Sequence, residues 1–505
     1  MKGFFRWFKS NAKIKRWLFI LLLGIVLVCY GIANIIEYKT LGKLDIVKIV
    51  ASFVAGFVLI VLSVVHAQKR MLELLVEESD TRSKKNNVKS LIFNKRIYNQ
   101  GPKIVVIGGG RGLNTVLTGL KNYTDNIIAI VTVSDYGETP TDSRKALEVL
   151  PLNDLKDSIA SLAYNEEEMK DLMYCKFHDG KMKGLSFGDI YFLAMNRIHG
   201  DFSKSVESST KILNMTGKVL PVTLEPITIC AELDDGSVIE DRSKIPELVG
   251  QSSKKISRVY IKPTNCAVAP GVIDAIKDAD AIIIGPGSLY TNVIPNLLVR
   301  GVAKAIKDSK AIKVYVSNIM TEYGQTDDYT LSDHIRTIQE YIGENIINYC
   351  IYDTGEIIPE YVKKYNKKGA DIVLADTTKA KQYGVKLIQR NLSKSEDDII
   401  VHDSDVIAST IIQLVCDELS FADMENNSQF MKLNSKLKET KREIKKRNKK
   451  DKKFQKSGRK QFERRDKGTN SKFKDKYTER IQSIKDSDKN RKKRRKMEEE
   501  KNKMK

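Results

Sequence analysis

The stretch Lys103-Ile104-Val105-Val106-Ile107-Gly108-Gly109-Gly110-Arg111-Gly112-Leu113 decides the fold of this 505-residue chain. The apolar run from Lys103 to Ile107 has the length and composition of a strand buried on both faces, and Leu113, Val116, Leu117 and Leu120 then recur at helical spacing. Between the two lie four glycines. Glycine lets a backbone approach an anion, and the N–H groups and positive dipole end of the following helix stabilise its charge, so strand, glycine turn and helix in this order make a phosphate cradle. The spacing is G-x-G-x-G rather than the G-x-G-x-x-G of the dinucleotide fingerprint, and such a turn also serves simply to pack a helix on a strand.

The pattern returns further along the chain. Ala281 to Ile284 is another apolar strand, and it breaks into Gly285-Pro286-Gly287-Ser288-Leu289-Tyr290-Thr291 before an apolar-faced helix from Ile294 to about Ile306. Two such turns at the C-terminal ends of strands can face one crevice, where ligands of open α/β sheets bind. A second strand, Ile127 to Val133, ends in Ser134-Asp135, an acid placed to meet a ribose hydroxyl or a metal beside a phosphate, or else to cap a turn. Ile312 to Val316 delivers Ser317, Asn318 and Thr321 to the same edge, where Asn318 serves equally well as a strand-end turn residue. A polar loop from Tyr136 to Lys145 leads to Pro151-Leu152-Asn153-Asp154, and Asn153 or Asp154 can cap the helix through Ala163.

Residues 184 to 215 read as two helices, and Ile227 to Glu240 as a β-hairpin about Asp235-Gly236. Arg258 to Ile261 and Ala281 to Ile284 then restore the parallel-strand pattern, and helices from Tyr329 to Ile342 and Ser404 to Leu419 close the domain. The expected class is therefore α/β: a Rossmann-like parallel sheet with a small β excursion, over residues 101–425.

What flanks this domain has a different composition. Residues 1 to 16 carry six basic residues and no acid; Trp17 to Ile36 and Ile49 to Ala67 are then uncharged, joined by a mixed-charge loop. About 20 apolar residues suffice to cross a bilayer. Residues 1–68 are thus expected to form a transmembrane hairpin with helices about 17–36 and 49–67. The positive-inside bias keeps the N-terminus, and so everything from residue 69 on, in the cytoplasm at the cell membrane. Residues 69–100 read as a linker.

The net charge of +22 is almost wholly local, since residues 432–505 hold 33 Lys+Arg against 12 Asp+Glu, a charge of +21. The tail 426–505 is too poor in apolar residues to fold on its own, and disorder or a solvated helix is expected. Without regularly interleaved aromatics it reads as a ligand for anionic lipid or another polyanion rather than a dedicated nucleic-acid domain. Six cysteines without a C-x-x-C pair and five histidines without ligand spacing argue against a disulfide framework, a structural zinc or a Cys/His redox site.

The glycine loop, Asp135, the G-P-G-S-L-Y-T turn, and Asn318-Ile319-Met320-Thr321 with Gly324-Gln325-Thr326-Asp327 together resemble the YvcK-type gluconeogenesis factor family. That family is similar in fold to CofD, the phospholactate transferase of deazaflavin cofactor synthesis. The resemblance covers about residues 102 to 420 and includes Gly217-Lys218-Val219-Leu220-Pro221 and Ala231-Glu232-Leu233-Asp234-Asp235-Gly236. It implies a protein that binds UDP-sugars and links central carbon metabolism to envelope synthesis and cell shape, here as a membrane-anchored variant. Carried over by position, Gly108, Gly109, Gly110, Gly112, Gly285, Gly287 and Ser288 would hold the diphosphate, with Arg111 beside it. Asp135, Asn318 and Thr321 would lie at the nucleoside or metal edge, Asp135 being the candidate ligand for Mg²⁺. The competing expectation is a Mg²⁺-dependent phosphotransferase of the phospholactate type; a homo-oligomer is expected in either case. Three positions depart from the family pattern. Asp135 is followed by Tyr136-Gly137-Glu138-Thr139-Pro140 where relatives have an Asp-Asp-Gly-Gly-Ser-Ser-Gly type loop, Arg111 replaces a small hydroxylated residue, and Asp189 stands where relatives often carry Asn.

Overall fold

Every residue of the strand β1 (Ile104–Gly108) is buried, and the computed structural model shows why. β1 lies inside a seven-stranded sheet with apolar layers on both faces. Ile104 and Val106 face one layer, built on Leu113, Leu117, Ile159 and Ile411, while Val105 and Ile107 face the other, built on Ile229, Val293, Val302 and Ile335. A strand covered on both sides has no polar face to alternate with, hence the unbroken apolar run. The structure describes residues 14–37, 43–77, 101–134, 151–252, 254–396, 399–418 and 433–448.

The sheet strands are β1, β2 (Ile127–Val131), β3 (Lys218–Pro221), β7 (Ala281–Ile284), β8 (Ile312–Val316), β9 (Tyr349–Asp353) and β10 (Lys386–Arg390). Their order is β10-β9-β8-β7-β1-β2-β3, and all pairings are parallel. From β1 the chain runs outward through β2 to β3, returns to place β7 on the other side of β1, and runs outward again. The reversal falls between β1 and β7, and such a switch point is where open α/β sheets leave a crevice at their carboxyl edge. Both glycine turns leave the sheet there.

The excursion is larger than a hairpin. β4 (Thr228–Leu233), β5 (Val238–Glu240) and β6 (Ile256–Lys262) form a separate sheet in the order β5-β4-β6. β6 is antiparallel to β4, so residues 258–261 do not rejoin the main sheet as their apolar pattern suggests. A four-residue stretch with apolar side chains at alternate positions suits either sheet, and only the partner decides. β11 (Ser393–Glu396) and β12 (Ile399–His402) make a short hairpin before the closing helix.

Two long helices, α1 (Ile14–Glu37) and α2 (Lys43–Glu77), belong to a unit of their own, residues 1–96, distinct from the unit 97–505. They pack closely on each other: a Cβ on Gly56 would stand 2.8 Å from the Gly24 carbonyl oxygen, and one on Gly24 would stand 3.0 Å from that of Gly56. Among the described residues one segment, Val47–His66, is long and apolar enough to cross a membrane, and Ile20–Ile36 is a shorter apolar stretch. Their outward side chains, among them Leu22, Val26, Val54 and Phe57, are exposed.

Candidate functional site at the switch point

The helix α3 (Gly110–Leu120) begins at the end of β1, and Gly110 takes a left-handed φ of 66° to turn the chain into it. The second turn packs directly on the first. A Cβ on Gly112 would stand 2.4 Å from the Pro286 carbonyl oxygen, and one on Gly287 would stand 2.9 Å from that of Gly109. These glycines are therefore demanded by a close approach of two backbones, in addition to any ligand. The Gly285–Pro286 peptide is cis, and Gly287 has a φ of 155°.

Asn318, at the end of β8, brackets the second turn: its Oδ1 accepts from the Gly287 N–H at 3.1 Å and its Nδ2 donates to the Gly287 carbonyl at 3.0 Å. Asn296 holds the first by one bond, its Nδ2 donating to the Gly108 carbonyl at 3.0 Å. Ser288 follows the turn and lies within hydrogen-bonding reach of Glu322. Burial pushes the Glu322 carboxyl above its usual range, opposed by Ser288 and by the charge of Arg242. Thr321 is committed elsewhere: its hydroxyl accepts from the Asp371 N–H at 2.8 Å, pinning the segment after β8. Asp135, with the loop 136–150, lies outside the described residues.

Two residues that sequence reasoning did not assign dominate the charge balance. Asp154 belongs to the first turn of α4 (Asn153–Leu162), where the helix cap is Leu152. Its Oδ1 accepts from the Gly110 N–H at 3.0 Å, its Oδ2 from Thr132 at 3.2 Å, and the Arg242 guanidinium reaches the same carboxylate at 2.5 Å. Arg242 also donates to Asn292 Oδ1 at 2.6 Å, and Asn292 sits just beyond the second glycine turn. One ion pair thus ties both turns together. No local signal could have found it, because Arg242 comes from the turn just after β5 and is 88 residues from Asp154. Asp189 is likewise engaged inside the fold, where it completes the capping box of helix Phe187–His199 with Ser186 and pairs with the buried Lys156 at 2.9 Å.

Since the Gly110 N–H already serves an internal carboxylate, a diphosphate on this turn would meet the N–H groups that follow, next to Arg111. Arg111 is exposed and has no ion-pair partner among the described residues. It lines a cavity of about 900 Å³ together with Asn114, Thr115 and Thr118 of α3, Asp157 and Ser161 of α4, and His402, Asp403 and Asp405 at and beyond the end of β12. Burial pushes the Asp157 carboxyl up, partly offset by the bond it accepts from the Tyr174 hydroxyl at 2.6 Å. Burial also pushes the His402 imidazole down, while its Nε2 lies 3.0 Å from the Ser317 carbonyl oxygen. The described residues contain no group of three His, Cys, Asp or Glu side chains suited to a metal. Asp154 is taken up by Arg242, and Glu322, the other carboxyl beside the turns, is bonded to Ser288 and has its charged form disfavoured by burial. These residues do not fit a Mg²⁺ site.

Residues 104–393 match the family described as 2-phospho-L-lactate transferase CofD. The gluconeogenesis factor of Bacillus subtilis is 37% identical over 317 residues, 63% of this chain and 99% of that one. A Clostridium acetobutylicum relative, provisionally given the same name, is 36% identical over 447 residues, 87% of this chain and 98% of its own. A crystal structure of a UPF0052-family protein from Bacillus halodurans superposes with a TM-score of 0.57 at 36% identity, covering 62% of this chain and 98% of that one. The domain match, the switch-point sheet and the alignment along nearly the full length of these relatives lead to one conclusion: the chain belongs to the CofD family and, within it, to the gluconeogenesis factors.

Proposed function

We propose that this gluconeogenesis factor binds a UDP-sugar at the switch point and acts as a regulator, linking central carbon supply to envelope synthesis and cell shape. The observation that carries the reading is the meeting of two glycine turns at the β1/β7 reversal, beside which Arg111, the one residue of the first turn to do so, borders a polar cavity of about 900 Å³. That size suits a small organic ligand, pockets for which span about 300–1,000 Å³. The turn next to Arg111 would take the diphosphate, and the carboxylates and hydroxyls further in would accept and donate to a sugar. Saturable binding of UDP-glucose or UDP-N-acetylglucosamine in calorimetry, lost in Gly110→Val, supports this. A Cβ on Gly110 would stand 2.5 Å from Asn292 Nδ2 at a φ that disfavours side chains, so valine distorts the turn. A folded chain that binds no UDP-sugar refutes it.

Membrane tethering belongs to the same proposal. It is supported by the exposed apolar surface of α1 and α2, which a core helix would bury, and by the segment Val47–His66 with its mean hydropathy of 2.5. The domain, both termini and the basic tail would then lie on the cytoplasmic side, the tail against anionic lipid, and self-association is part of the proposal. Cell fractionation should find the full chain in the membrane pellet and a chain lacking residues 1–100 in the supernatant; the reverse would refute the tether.

The family description favours a second reading, a phosphotransferase acting on a nucleotide-diphosphate donor. It requires a group to activate an acceptor, and Asp135, at the end of the second strand, is the candidate carried over by the resemblance. Product from such a donor with Mg²⁺, abolished in Asp135→Asn while binding persists, would support catalysis over regulation.

A further inference from the structure

The basic segment beyond residue 426 holds one described helix, α6 (433–448), following α5 (Ser404–Glu418). Its sequence is mostly Lys, Arg, Glu and Asn, a composition that does not fold alone. It is nevertheless seated on the domain. Leu437 is 2% exposed and joins the core beneath α3, with Leu433 and Ile444 packed against the same layer. The Tyr123 hydroxyl donates to Thr440 Oγ1 at 2.9 Å, and Lys436 donates to the Asn122 carbonyl. At its C-terminal end Arg447 forks onto Asp403 at 2.6 Å and Asp405 at 3.1 Å. All three side chains line the cavity that Arg111 enters, and α6 lies beyond the family-matched span 104–393.

We propose that α6 is a wall of the ligand cavity and that Arg447 sets the affinity for an anionic nucleotide by offsetting part of the carboxylate charge of Asp403 and Asp405. The inference rests on reading the cavity as a nucleotide-sugar site. Without Arg447, two carboxylates face the space a diphosphate must enter, and like charge in a partly enclosed site is weakly screened. Asp403 is held in place regardless, since its Oδ1 also accepts from the Asp405 and Val406 N–H groups at the start of α5. Arg447 therefore has a rigid partner, and its loss leaves the carboxyl groups where they were. Because α6 begins the run of basic residues that ends the chain, anything that pulls on that tail also pulls on this wall.

The test uses the full chain in detergent micelles, titrated with UDP-N-acetylglucosamine. A unit charge within about 10 Å at an effective dielectric of about 30 changes affinity on the order of fivefold. Arg447→Ala should then bind about fivefold more weakly, Arg447→Glu about 25-fold, with Arg447→Lys restoring most of the loss. Hydrogen exchange should show the amides of 433–448 protected, more so with ligand. Wild-type affinity in Arg447→Glu overturns the electrostatic role, and unprotected amides across 433–448 overturn the wall. If the wild-type chain binds neither the UDP-sugar nor UDP, the nucleotide-sugar reading falls with the affinity effect, and the exchange data alone decide the wall.

Discussion

Exchanging Gly112 for alanine probes the contact between the two glycine turns, and Gly119 on the same helix supplies the control. Both lie in α3, where alanine is favoured over glycine by about 1 kcal/mol. At Gly112 the new Cβ would stand 2.4 Å from the Pro286 oxygen and 2.7 Å from its carbon, both backbone atoms of the second turn. At Gly119 it would stand 2.3 Å from the Ser404 oxygen and 2.8 Å from the Ala408 Cβ, where α3 meets α5. Neither neighbour is the end of a flexible side chain, so the cost of overpacking, about 1–3 kcal/mol, should outweigh the gain in propensity. Each variant should melt lower, by no more than roughly 2–4 °C per kcal/mol, the figure for somewhat smaller domains. The two should part company in binding. Gly112→Ala forces the turns apart and should weaken UDP-sugar binding about tenfold or more, a cost of about 1.4 kcal/mol, whereas Gly119→Ala should bind within about twofold of wild type. Thermal melts and calorimetry on the same samples check both. A Gly112→Ala protein that melts higher, or that binds as tightly as Gly119→Ala, would refute the claim that the site depends on this contact.

Breaking the Asp154–Arg242 pair from either side should cost about 3–5 kcal/mol, since the Asp154 carboxylate is 3% exposed and its partner is left without compensation; chemical denaturation of Asp154→Ala and Arg242→Ala measures this. Glu322 gives a pH signature. Its folded pKa is raised by burial, so the native state binds more protons and stability falls as pH rises above the unfolded value of about 4.3; Glu322→Gln should flatten that decline in melts taken between acid and neutral pH. His334 and His402 act in the opposite sense. Burial lowers both imidazoles, the unfolded chain binds more protons, and stability should drop as pH falls below about 6.5. The drop should be shallower in His334→Gln, where the native ring makes one bond, Nδ1 to the Thr330 carbonyl at 2.8 Å.

The two glycine turns were legible in the chain because their devices are local. A strand that breaks into glycines and resumes as a helix is written within eleven residues, from Lys103 to Leu113, and the same grammar recurs at Gly285 to Ser288. Asn318 was legible for the same reason, sitting at the end of an apolar strand. Other features were invisible because their partners are distant. Asp154 reads as a helix cap until Arg242 arrives from a separate sheet, and β6 reads as a parallel strand until β4 pairs with it in the opposite direction. β9 and β10 were not assigned from the sequence, although they complete one side of the sheet. In α6 the few apolar positions, Leu433, Leu437 and Ile444, fall on one face of an otherwise charged helix, a faint stripe that composition alone submerged.

The sequence by itself determined the elements: where strands are buried on both faces, where the backbone must turn through glycine, and where charge and apolar length collect at the two ends. These follow from the preferences of neighbouring residues, which act whatever the rest of the chain does. Only the tertiary structure decided that β7 lies against β1, that Gly112 touches Pro286, and that Arg242 and Arg447 come to rest on Asp154 and Asp403. Such contacts depend on which of several compatible strands and charges become neighbours. That choice is made by the packing of the whole domain, and it leaves little trace in local sequence.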